Sequence, residues 1–78
     1  MSLNYWSKGG NSKGESGYWI SFNYDAGIIE RLKETIPSRF REWDADKKQW
    51  WVHEYCEKMI NDLFPGFLQA VVAQRKLF

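Results

Sequence analysis

Between Ile36 and His53 the chain interleaves basic groups with large aromatic rings. It runs Pro37-Ser38-Arg39-Phe40-Arg41-Glu42-Trp43-Asp44, then Ala45-Asp46-Lys47-Lys48-Gln49, then Trp50-Trp51-Val52-His53. Guanidinium and ammonium groups pair with phosphate, and indoles stack on bases, so these residue types together suit a grip on nucleic acid. Catalytic chemistry is not suggested by the other reactive side chains. His53 is the only histidine and Cys56 the only cysteine, which leaves a metal ion no partners beyond carboxylates. The two stand one helical turn apart, yet no orienting third group or oxyanion feature accompanies them. We read His53 as structural at a helix start and Cys56 as a buried thiol on an apolar stripe. The pairs Asp44/Asp46 and Glu54/Glu57 read as solvated charge. Gly9-Gly10-Asn11-Ser12-Lys13-Gly14 lacks the preceding strand and the Gly-Lys-Ser/Thr ending of a phosphate loop. Neither an enzyme nor a cofactor is expected.

The elements that must position the basic and aromatic residues follow from periodicity. Tyr18, Ile20 and Phe22 alternate with Trp19, Ser21 and Asn23, the pattern of a half-buried strand. Asp25 suits an N-cap, with Tyr24 and Ile29 as a hydrophobic staple around it. The helix that follows carries Ile28, Ile29, Leu32, Thr35 and Ile36 on one face, and Pro37 ends it. Arg39–Trp43 and Gln49–His53 then form a hairpin around Asp44-Ala45-Asp46-Lys47-Lys48. Trp50 and Val52 share one face of the last strand, and Gln49, Trp51 and His53 the other. Trp43 has the parity of Arg39 and Arg41, so either Phe40 or Trp43 faces the core unless a bulge admits both. A second helix from His53 or Glu54 is apolar over half its circumference, through Tyr55, Cys56, Met59, Ile60, Leu63 and Phe64, and should be sandwiched. Pro65-Gly66 breaks it, and a short helix from Phe67 to Arg75 supplies the second surface or a dimer contact.

This order, read with its residues, resembles the HARP domain, the small module in front of the motor of SWI/SNF-like annealing helicases. The likeness covers about residues 18–62. It rests on Ile20 and Phe22, on Ile28, Ile29 and Leu32, on Pro37-Ser38-Arg39, on Trp43-Asp44 and on Lys48-Gln49-Trp50. The resemblance implies a β-α-β-β-α unit and binding to DNA at branched or single-strand/double-strand junctions, without the motor.

The expected fold is therefore a small α+β domain: a β-α-β-β-α unit, a three-stranded sheet packed on helices, with an additional C-terminal helix. It occupies residues 17–78, behind a flexible arm of Gly, Ser, Asn and Lys over residues 1–16, which reads either as a loosely packed tail or as a basic arm that lies on a nucleic-acid backbone or covers a sheet edge. At 78 residues the chain is small, but aromatics make up 18% of it, and each can bury roughly 150–250 Å². That suffices for a core without disulfides. Eleven basic against ten acidic residues leave a formal charge of +1, so only local clustering can favour nucleic acid. No apolar run nears the roughly 20 residues of a membrane span, nor is there an apolar signal core, and a cytoplasmic chain with no membrane partner is expected.

The expected nucleic-acid-binding residues are Trp19, Arg39, Arg41, Lys47, Lys48 and Trp51. Two arrangements are open for them. Either Trp19 and Trp51 share an outer sheet face with Arg39 and Arg41, or the indoles pack under the N-terminal arm or the C-terminal helix while the arginines pair with Glu42, Asp44 and Asp46. A second functional class is also open: a protein-interaction or assembly domain, or homodimer, acting through Phe67, Val71, Val72 and Phe78.

Overall fold

The computed structural model describes residues 3–75. Its strands are β1 (Tyr5–Gly10), β2 (Ser16–Ser21), β3 (Arg41–Asp44) and β4 (Gln49–His53); its helices are α1 (Ala26–Thr35), α2 (Glu57–Leu63) and α3 (Phe67–Arg75). The strands form one antiparallel sheet in the order β1-β2-β4-β3. The domain is α+β, and residues 16–63 run strand, helix, strand, strand, helix. Among the described residues no helix is long and apolar enough to cross a membrane.

The sheet has a fourth strand where a flexible arm was expected. β1 pairs with β2 from Tyr5↔Ser21 to Gly10↔Ser16. Its composition hid it, because pairing is made by backbone groups, and a Gly- and Ser-containing segment can join a sheet wherever a neighbouring strand offers an edge. Two features hold it there. The Asn11 side-chain oxygen accepts from the backbone N–H of Lys13 and of Glu15, both at 2.9 Å, and closes the β1–β2 loop. Trp6 packs edge-on against Tyr18 and Phe67, with centroids 6.0 and 5.4 Å away, so β1 also contributes an indole to the core.

Helix α1 begins as its sequence requires. Asp25 is extended (φ −154°, ψ 110°), and its Oδ1 accepts from the N–H of Ile28 at 3.1 Å. This satisfies one of the donors that a helix start leaves unpaired. Asp25→Ala should therefore cost about 0.5–2 kcal/mol. Backbone chemical shifts of wild type and variant check the origin, since a helix beginning several residues later would remove the cap. The staple does not close, as Tyr24 is 84% exposed.

All three helices lie on one face of the sheet. Tyr18, Ile20 and Val52 from the strands meet Leu32 and Ile36 near α1, Cys56, Ile60, Leu63 and Phe64 around α2, and Phe67 and Val71 of α3. Helix α2 is sandwiched as expected, although it is shorter than its apolar run, because Glu54–Cys56 form a separate 3-10 turn. Ser38–Phe40 do the same before β3, with the Phe40 N–H donating to the Pro37 carbonyl at 2.9 Å. That turn removes Phe40 from the strand, so the conflict of parity with Trp43 does not arise.

Candidate nucleic-acid interface

Residues directly opposite one another across an antiparallel pair share a face. Trp19 lies opposite Trp51, and Trp51 opposite Glu42; Arg41 lies opposite Val52, and Trp43 opposite Trp50. Val52 belongs to the core, so Arg41, Trp43 and Trp50 stand on the helix side and Trp19 and Trp51 on the outer face. The sharing of one outer face by both arginines and both indoles thus fails at Arg41. Its Nη1 donates to the Ile36 carbonyl at 2.7 Å, where the C-terminal end of α1 leaves carbonyls without intrahelical partners. Arg41 closes a helix end from the neighbouring strand.

The two outer indoles lie over glycines. Trp51 crosses β2 at Gly17, where a Cβ would collide with the indole and with the Val52 carbonyl, and its Nε1 donates to the Gly9 carbonyl of β1 at 3.1 Å. Trp19 reaches Gly9 in the same manner, with its Nε1 donating to the Gly10 carbonyl at 3.2 Å. The outcomes differ. Trp51 has no exposed surface, so in this conformation it offers no face to a base; Trp19 is only half-buried.

Lys47 and Lys48 leave the hairpin tip on opposite sides. Asp44 Oδ1 fixes the tip by accepting from the N–H groups of Asp46 at 2.9 Å and Lys47 at 3.0 Å. The Lys47 ammonium stands 4.6 Å from the centre of the Trp19 ring, within cation–π range. Beside it is an open hollow of about 500 Å³, whose lining includes Trp19, Trp43, Glu42 and Ser12. Lys48 instead lines a cleft on the other side with Trp43 and Trp50. Arg39 lies in the 3-10 turn, exposed, its guanidinium carbon 4.8 Å from the Phe40 ring centre. Phe40 in turn contacts His53, and His53 contacts Trp51. Arg39 therefore joins the outer aromatic row at the end away from the tip.

Three aromatics that the sequence reading left out of the site border the tip: Trp43, Trp50 and Tyr24. Trp43 and Trp50 pair across the hairpin with ring centres 5.3 Å apart, and Trp43 is 51% exposed. Their equal distance from the turn is the one sequence signal that could have joined them.

Charge around the tip is balanced. Residues 41–48 hold Arg41, Lys47 and Lys48 against Glu42, Asp44 and Asp46, although Asp44 is engaged in the turn and Glu42 accepts from the Ser12 hydroxyl at 2.9 Å. Only a few cations are thus placed to meet phosphate.

The remaining reactive groups have structural surroundings. His53 Nδ1 accepts from the Tyr55 N–H at 3.1 Å, capping the 3-10 turn, and Nε2 lies 3.7 Å from a Glu15 carboxylate oxygen. Cys56 is buried, and loss of solvation pushes its thiol pKa up, away from the reactive thiolate. The apolar patch expected on α3 is reduced, because Phe67 and Val71 face the core and Val72 alone of the described members is exposed; Phe78 lies outside the described residues. No family model, no curated protein and no solved structure matches the chain.

Proposed function

We propose that this chain is a small nucleic-acid-binding module that takes single-stranded or branched DNA along the tip of the β3–β4 hairpin. The observation that carries the reading is the placement of Lys47 over Trp19 beside the exposed Trp43. An indole and an ammonium group presented together offer a base a stacking surface and its phosphate a counter-charge. Lys47, Lys48 and Arg39 are the phosphate contacts, Trp19 and Trp43 the stacking surfaces. Arg41 and Trp51 support the site from within the fold. The likeness of residues 18–62 to the HARP domain supports the same class of ligand.

Because so few cations are available, binding should be only moderately salt-dependent. Three phosphate contacts on a single strand give a slope of log K against log salt of about −2, at roughly −0.7 per contact. Quenching of tryptophan fluorescence by single-stranded and forked DNA, titrated at several salt concentrations, measures this. Lys47→Ala should flatten the slope by about 0.7. Absence of binding to single-stranded, duplex or forked DNA and to RNA at low salt would overturn the reading and direct attention to self-association through α3 by sedimentation.

A further inference from the structure

A cleft on the helix side of the hairpin shares Trp43 with the hollow beside Trp19 but is otherwise lined by other residues. It encloses about 300 Å³ between β2, the start of α1 and the tip, and Phe22, Tyr24, Trp43, Trp50, Ser21 and Lys48 contribute to its wall. That volume is at the lower bound of ligand pockets, roughly 300–1,000 Å³, and suits one planar group. The Trp43 and Trp50 rings are tilted by 51° to one another, forming a corner of two indole faces. Tyr24 also lines the cleft, 84% exposed, with a phenol able to donate or accept.

Among the described residues Lys48 is the only charged one in the lining, and no carboxylate joins it. This decides the charge of the occupant. An aromatic enclosure with an ammonium group at its rim repels the quaternary ammonium and guanidinium ligands that aromatic cages otherwise attract. It favours a flat group that carries an anion. The Lys48 backbone takes the positive φ of 54° that L side chains adopt uncommonly, just after a turn whose entry is pinned by Asp44.

We infer that this cleft receives a single unpaired nucleobase between Tyr24 and the Trp43/Trp50 corner, with the adjoining phosphate on Lys48. The inference rests on the nucleic-acid reading above and sharpens it, since a base can enter only when it is out of a duplex. Paired DNA would then reach Lys47 and Arg39 but leave the cleft empty.

The test compares a short oligothymidylate with a blunt, fully paired duplex, following the indole N–H resonances of the full chain. The oligothymidylate should shift the Trp50 signal, which belongs to the cleft and not to the Trp19 hollow, and the duplex should leave it in place. Tyr24→Ala removes an exposed ring, so it should keep the melting temperature while weakening the oligothymidylate roughly 5- to 150-fold, the loss of one stacked base. Lys48→Gly removes the charge and suits the left-handed backbone, so its melting temperature should hold or rise as its affinity for the single strand falls. If the oligothymidylate binds while Trp50 stays in place and Tyr24→Ala binds as wild type, the cleft inference is wrong and the module reading stands. If neither DNA binds, both fail.

Discussion

Trp51→Ala is expected to destabilise the fold by about 3–5 kcal/mol, the range for deleting a fully buried large aromatic. Set against roughly 0.05–0.15 kcal/mol per residue, or about 4–12 kcal/mol for a domain this long, most variant molecules would be near unfolding. The cost has two parts. The indole has no exposed surface and spans from β4 across Gly17 to the Gly9 carbonyl, so its removal opens a trough over three strands. The Gly9 carbonyl also loses the indole N–H, and edge strand β1 loses a tie to the centre of the sheet. Urea or thermal unfolding followed by circular dichroism measures the change. A variant that melts like wild type but no longer binds DNA would reverse the assignment and make Trp51 a ligand contact.

Leu32→Ala and Ile60→Ala should each cost about 2–5 kcal/mol. Both side chains are fully buried in the cluster that joins α1 and α2 to the sheet. Removing either leaves a cavity between elements that cannot collapse independently, because α1 is anchored at both ends, by Asp25 at its start and by Arg41 near its end. The two sites share a core, so the double variant should depart from the sum of the singles. Equilibrium denaturation of the three proteins checks this. Single variants with near-wild-type midpoints would show that the inward faces of α1 and α2 are misassigned.

Much of this core was legible beforehand. Alternation at Tyr18, Ile20 and Val52 and the helical stripe through Leu32 and Ile36 mark inward faces because side-chain direction follows backbone period. Asp25 was legible for the same local reason, since a cap is decided within one turn. The arrangement at the hairpin tip was legible in part. Lys47 and Trp19 do meet, and Lys48 lies at the same tip, because the polar turn itself could be recognised from Asp44 onward.

The rest was decided by pairing between distant segments. Nothing local distinguishes the Gly9-containing stretch from a flexible arm; it becomes a strand because β2 offers it an edge. Trp51 has the parity of an outward residue, and it is outward, yet it is buried because Gly17 and Gly9 across the sheet leave room for the indole to lie flat. Arg41 looks like half of a basic pair with Arg39, but the 3-10 turn between Pro37 and Phe40 changes the phase, and the register with Val52 sends Arg41 to the end of α1. The amino-acid order by itself determined which residues form strands and helices around the hairpin, since propensity, capping and turn chemistry act over a few residues. Only the tertiary structure decided which aromatics are available to a ligand, because burial of a strand's outer face depends on the side chains that neighbouring strands do or do not place beside it.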